Sequence, residues 1–547
     1  MNALRLTPLL TLFFACGKDD GPANDSAPAD DTAADTATDT ATDTAAEVTP
    51  CPDGLSDPAI STSTGCVTGL LTEGQERFLG VPYAAPPLGA LRFLPPTPVT
   101  PWETPLAATT PGPICVQHVD SSLTDNKKGE GDEDCLTLNI LRPAGAVGPL
   151  PILFFTHGGG YATGSGSQST YLNDPNLPDQ AIVITHNYRL GPLGFLAHPA
   201  LSAAQAEGVS GNMGLLDTVM ALEWVSENAE ALGGDPAQVL IFGESAGGLT
   251  TCALLMSPDA AGLFSGAVVH SAPCLGLNEP LRGGAADQGE RWGETFAEAL
   301  GCDGDDAVAC MQSAPIEDIV TYGEATVLIG EGKRYAPVLD GVRLPLDGAL
   351  SLKDSLSVPV TLGANQDEGT VFVLGLGVTT EAIYEATVRA LVRPFGIDAD
   401  KILAAYPSAA YGDSPEAAFA ALYGDAVFVC PTVFMAEALA PDHTVRGYHF
   451  SAAPAAAGTF GAFHGSELPY VFGTGFVDTS AKDAALAQDM QDAWATLLTG
   501  DAAVGEAGPW SPLGTGWALW DRDGSALGAH PKADLCQLWA EEGLNPW

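Results

Sequence analysis

Positive charge is what this chain has least of. Its 547 residues include 21 Lys and Arg against 68 Asp and Glu, a formal net charge of −47 at pH 7. Such a surface repels phosphate backbones, which argues against nucleic-acid binding, and it disfavours electrostatic adsorption to anionic lipid. No C-x-x-C pair occurs and the nine histidines do not cluster, so no metal site is expected. Beyond the N-terminus no run of eighteen uncharged apolar residues suggests a membrane span, and no internal repeat is visible. Charged side chains are also scarce overall, at 16%, while hydrophobic ones reach 46%, enough for a large buried core.

The N-terminus differs in texture. MNALRLTPLLTLFFAC has one basic residue and then a short apolar run, the pattern of a secretory signal. It stops at Ala15-Cys16-Gly17, which resembles a bacterial lipobox with Phe13 where leucine is usual. Residues 1–16 therefore read as a signal peptide and Cys16 as a lipidation site, the alternative being an ordinary signal peptide with an incidental cysteine. Residues 17–50 contain DDTAADTATDTATDTAAE and no large apolar residue before Val48, so they read as a disordered acidic tether. The expected location is outside the cytoplasm, with the protein lipid-anchored to the outer membrane or cell surface, or otherwise secreted. Setting Cys16 aside leaves ten cysteines, an even number that in an exported chain favours disulfides. Cys302 and Cys310 are close enough to close a small loop.

From residue 51 to 547 the texture is uniform and reads as one domain. ILFF (152–155), AIVIT (181–185), VLIF (239–242), AVV (267–269) and VPVTLG (358–363) look like buried strands. Between them, 214–232 carries Leu215, Val219, Leu222 and Val225 at helical spacing. Buried strands alternating with helices predict an α/β fold: a mostly parallel central sheet with helices on both faces.

Two glycine motifs follow strands. In FGESAGG (242–248), Gly243, Ser245 and Gly247 form G-x-S-x-G, whose glycines allow a tight strand-to-helix bend that exposes the serine hydroxyl. In HGGGY (157–161), consecutive glycines leave backbone N–H groups free to converge on an oxyanion. Gly159 and Gly160, with Ala246 after the serine, are the candidate donors.

These stretches resemble the type-B carboxylesterase family of α/β hydrolases. EDCLTLNI (133–140), NYRLGPLGFL (187–196), GNMGLLD (211–217), GGDPAQVLIFGESAGG (233–248), NQDEGTVF (365–372) and FHGSELPYVFG (463–473) match it in order. The resemblance implies a triad of Ser245, Glu368 and His464, in the chain order Ser, acid, His. Asp367 is the adjacent alternative acid. Ser271 stands where a supporting partner is implied, and Glu244 beside the serine is placed to tune the site or to pack. His157 belongs to the oxyanion strand end, His186, His198 and His270 read as structural, and NYRLGPLGF with GNMGLLD as scaffold for the oxyanion loop. The implied disulfides are Cys115–Cys135, Cys302–Cys310 and Cys430–Cys536, which leaves Cys51 with Cys66 and Cys252 with Cys274.

The chain departs from the family pattern at Leu232, where phenylalanine usually opens the serine signature, a conservative change. The loop between Cys115 and Cys135 has no aromatic residue to hold a quaternary ammonium, which argues against choline esters. The expected activity is hydrolysis of small to medium carboxylic esters through an acyl-enzyme, with no metal or organic cofactor. Lipid-ester, amide or carbamate hydrolysis by the same triad is the alternative within enzymes, and a non-catalytic adhesion protein the alternative outside them. An imidazole base implies activity falling at acid pH, around the ordinary histidine range near pH 6.5.

Overall fold

The computed structural model describes residues 50–546 apart from 56–57, 73, 122–125, 147, 174, 178–179, 277–279, 283–288, 324–334, 454 and 475–479. The signal-like segment, Cys16 and the tether up to residue 49 lie outside the described residues.

An eleven-stranded sheet organises the chain. Its seven-strand parallel part runs, in spatial order, through Ile182–His186, Leu150–Thr156, Gly234–Glu244, Gly266–His270, Val360–Asn365, Val445–Phe450 and Trp517–Trp520. Each of the five apolar runs expected as strands lies in this part. The flanks are antiparallel: Ala526–Gly528 closes one edge, and Thr137–Pro143, Gln75–Pro82 and Leu70–Thr72 extend the other.

Pleating explains why the central strands are apolar throughout rather than alternating. Ile152 and Phe154 of one strand join the hydrophobic cluster on one side of the sheet, while Leu153 and Phe155 join the cluster on the other. The pattern read over 214–232 becomes the helix Met213–Asn228, shorter than expected because the chain turns over 229–233, with Gly233 at φ 81°.

Among the described residues one helical run, Pro415–Leu439, is long and apolar enough to cross a membrane, but 94% of its apolar window is buried inside the protein. It packs on the strands Val360–Asn365 and Val445–Phe450. Its middle, Asp425–Val429, widens into a π-turn.

Five disulfides tie the described chain: Cys51–Cys66, Cys115–Cys135, Cys252–Cys274, Cys302–Cys310 and Cys430–Cys536. These are the pairs that the sequence reading named.

Candidate active site

The candidate site lies at the carboxyl edge of the parallel sheet, after the strands Leu150–Thr156, Gly234–Glu244, Val360–Asn365 and Val445–Phe450. The strand Gly234–Glu244 ends at Ser245, which is held at φ 56°, ψ −120° and caps the helix Ala246–Met256. A non-glycine residue there is strained. The glycines around it show why the bend is possible. A side chain on Gly247 would collide with the Thr156 carbonyl oxygen, and one on Gly243 with the Gly247 carbonyl oxygen. The Ser245 N–H donates to the His270 carbonyl oxygen at 3.0 Å, which ties the bend to the neighbouring strand end.

The glycine loop after Leu150–Thr156 lies against this bend. A Cβ on Gly158 would come within 2.7 Å of Glu244 Oε2 and 3.1 Å of Ser245 Cβ. Gly159 and Gly160 have φ of 108° and 62°, conformations that side chains resist. Ala246 opens its helix, so its N–H is one of those that no residue of the helix can accept from.

The loop is braced from behind. Tyr188 donates to the His157 carbonyl oxygen at 2.9 Å and stacks on its ring, and Gln117 Oε1 accepts from Thr163 Oγ1 and the Gly164 N–H. Burial pushes His157 down to about 4, so it stays neutral and structural at physiological pH. The buried pair Arg189–Asp217, at 2.6 Å, joins two of the motifs that the sequence marked as scaffold.

His464 and Glu368 come together. Nδ1 of the imidazole lies 2.6 Å from Glu368 Oε2, while Glu368 Oε1 accepts from Ser271 Oγ at 2.5 Å and from the Asn365 N–H at 2.6 Å. Nδ1 therefore carries the ring proton, and in the neutral ring Nε2 is left as an acceptor. Nε2 is buried and makes no hydrogen bond; Glu244 Oε1 lies 3.2 Å away without hydrogen-bond alignment.

Burial disfavours the charged imidazole, but the carboxylates of Glu244 and Glu368 outweigh it and raise His464 to about 9. Burial likewise raises Glu244 to about 8, against the pull of His464. Asp367 points elsewhere: its Oδ2 accepts from the Ala462 N–H and pins the histidine loop.

Several neighbours of the site carry no catalytic role that the sequence marks. His270, read as structural, accepts from Trp494 Nε1 on its own Nε2 at 3.2 Å and meets Glu467 Oε1 through Nδ1 at 3.2 Å. Burial raises Glu467, but His270 and Asn365 outweigh it and hold the carboxyl below its usual range. Asn365 Nδ2 donates to Glu467 Oε2, so this inner carboxylate and Glu368 share one support. Phe372 and Phe428 lie against the His464 ring, with centroids 4.9 and 4.7 Å away. Phe372 and Glu467 fall within stretches already quoted as motifs, whereas nothing local marks Phe428.

A serine at a strained bend, a glycine loop and a carboxylate-bound imidazole thus lie at one sheet edge. The carboxylesterase family model matches residues 56–518. The chain belongs to the carboxylesterase family. A fumonisin B1 esterase from Sphingopyxis macrogoltabida is 36% identical over 80% of this chain and 81% of its own length. A para-nitrobenzyl esterase from Bacillus subtilis is 32% identical over 82% of this chain and 91% of its own. A solved structure of a PNB esterase superposes with a TM-score of 0.73 at 31% identity, covering 88% of this chain and 99% of the other. This carboxylesterase has the α/β-hydrolase fold and is a carboxylic-ester hydrolase.

Proposed function

We propose that ester hydrolysis here proceeds through Ser245 as nucleophile, His464 as general base and acid, and Glu368 as the carboxylate that orients the imidazole. The observation that carries the reading is the 2.6 Å contact of Glu368 with His464 Nδ1, which leaves Nε2 as the acceptor, 3.2 Å from Oε1 of Glu244, the residue before the strained Ser245. Ser245 Oγ attacks the ester carbonyl and passes its proton to His464 Nε2. The oxyanion takes hydrogen bonds from the N–H groups of Gly159, Gly160 and Ala246. Collapse expels the alcohol, which receives that proton. A water molecule then attacks the acyl-enzyme, giving its proton to His464, which passes it to Ser245 Oγ as the acid leaves, restoring both residues.

The substrates of this reading are small to medium esters. The names of the relatives differ too widely to carry one substrate over. The chain acts outside the cytoplasm in this reading, anchored through a lipidated Cys16, with residues 17–50 as spacer.

The test compares the protein with Ser245→Ala on p-nitrophenyl acetate, butyrate and octanoate. Loss of turnover in the variant supports the reading, and the chain-length preference measures the acyl pocket. Equal rates in both proteins overturn it. A jump in rate at an oil–water interface would assign a lipase instead. The mass of the mature N-terminal peptide tests lipidation.

A further inference from the structure

The C-terminal helix Ala533–Glu541 begins after Lys532, far in sequence from the motifs of the site. Lys532 Nζ donates to Asp425 Oδ1 at 2.5 Å and to the Gln366 carbonyl oxygen at 2.6 Å. Both acceptors belong to elements that reach the imidazole. Gln366 sits two residues before Glu368 in the loop that carries the acid. Asp425 opens the π-turn Asp425–Val429, which carries Phe428 to 4.7 Å from the His464 ring.

The two elements touch directly: a Cβ on Gly424 would lie 3.2 Å from Glu368 Cβ, and one on Gly369 would collide with the Ala420 carbonyl oxygen. A π-turn inserts an extra residue and redirects the side chains after it, and such turns gather at functional sites. Asp425 is 1% exposed and Lys532 14%, so their attraction is little screened. Tyr406 fills the other carboxylate oxygen, donating to Asp425 Oδ2 at 2.9 Å. The Cys430–Cys536 disulfide fastens the same helix pair one turn further on.

We propose that Lys532 and Asp425 are positioning residues for catalysis: one ammonium clamps the acid-bearing loop to the π-turn and so fixes Phe428 against His464. Glu368 and Phe428 then constrain the imidazole from two directions, one at Nδ1 and one on the ring. With the clamp gone, the ring gains freedom, and the fraction of time that Nε2 faces the serine falls. Substrate binding is untouched, so the loss is in kcat rather than KM. This inference rests on the reading of His464 as the general base.

The experiment uses the whole protein with p-nitrophenyl butyrate at 20 °C. Lys532→Met with Asp425→Asn removes the charge of both partners, so no unpaired charge stays buried and folding is preserved. Lys532→Arg keeps the cation, and Phe428→Leu removes the proposed endpoint. The expected result is a fall in kcat of about tenfold to a hundredfold for the double variant, with KM within about twofold. Lys532→Arg is expected to recover most of that loss. Adding Phe428→Leu to the double variant is expected to cost less than twofold more, because both changes act on one contact.

Unchanged kcat in a folded double variant overturns the inference, as does full additivity with Phe428→Leu. Should the double variant not fold, Phe428→Leu and Lys532→Arg give the same decision: unchanged kcat in Phe428→Leu overturns the clamp. His464→Ala serves as the control. If it retains turnover, the reading of the base fails; if it is inactive while the clamp variants are unaffected, only this inference fails.

Discussion

Nε2 of His464 lies 3.2 Å from Oε1 of Glu244, the residue immediately before Ser245. With Glu368 on Nδ1, the imidazole stands between two carboxylates. Both favour its charged form. The acid limb of kcat/KM is therefore expected above the ordinary histidine range near pH 6.5 that the sequence alone implied. The sign follows from the chemistry: the base must be neutral, so a raised imidazole pKa moves the loss of activity upward. Glu244→Gln removes one carboxylate and should move the limb down by about one pH unit. A pH profile of the two proteins decides it; an unmoved limb would sink the idea.

Glu368→Gln should be far more damaging than its size suggests. The glutamine oxygen is held by Ser271 Oγ and the Asn365 N–H, both donors. The side-chain NH2 then faces His464 Nδ1 and forces the ring proton to Nε2, where it cannot accept from Ser245. The expected fall in kcat is about 10⁴-fold with KM little changed. A loss below tenfold would assign the orienting role elsewhere.

Gly247→Ala should prevent a native active site, because its methyl group would meet the Thr156 carbonyl oxygen in the strand behind. Gly514, with nothing within 4 Å of a Cβ there, is the control. Gly514→Ala should express, melt and turn over like the parent. Thermal melts and ester turnover of both variants check the contrast.

Arg189→Met strands Asp217, a carboxylate with no exposure, and should cost about 3–5 kcal/mol of stability. Changing Asp217→Asn as well should return much of that cost, because the buried charge is gone. Urea unfolding of the three proteins measures it, and equal losses in single and double variants would contradict the account.

Removing the Cys430–Cys536 disulfide, which closes 106 residues of sequence, should lower stability by about 2–5 kcal/mol. A Cys430→Ala, Cys536→Ala protein with parental stability under oxidising conditions would show that the loop is already closed by packing.

What could be read from the sequence was whatever local chemistry makes compulsory. A Cβ at Gly243 or Gly247 would collide with backbone across the bend, so the glycine spacing of FGESAGG announces the turn at Ser245. Strands buried on both faces must be apolar throughout, so ILFF and AIVIT announce the sheet. The antiparallel flanks and the early end of the helix at Asn228 were not legible, since neither changes the local apolar pattern. Glu368 and His464 were named through the motifs around them, not through any property of a lone glutamate or histidine.

Tertiary structure alone decided what surrounds the imidazole. Glu244 and His464 are 220 residues apart, and only the return of the loop after Val445–Phe450 onto the end of Gly234–Glu244 sets a charge that shifts the pKa. Phe428 reaches the ring because a π-turn redirects it, and Lys532 reaches the acid loop because the C-terminal helix docks there. Electrostatic and packing effects act over a few ångströms of space, whatever the distance along the chain. The sequence therefore specifies which groups can react, and the fold sets their charge and aim.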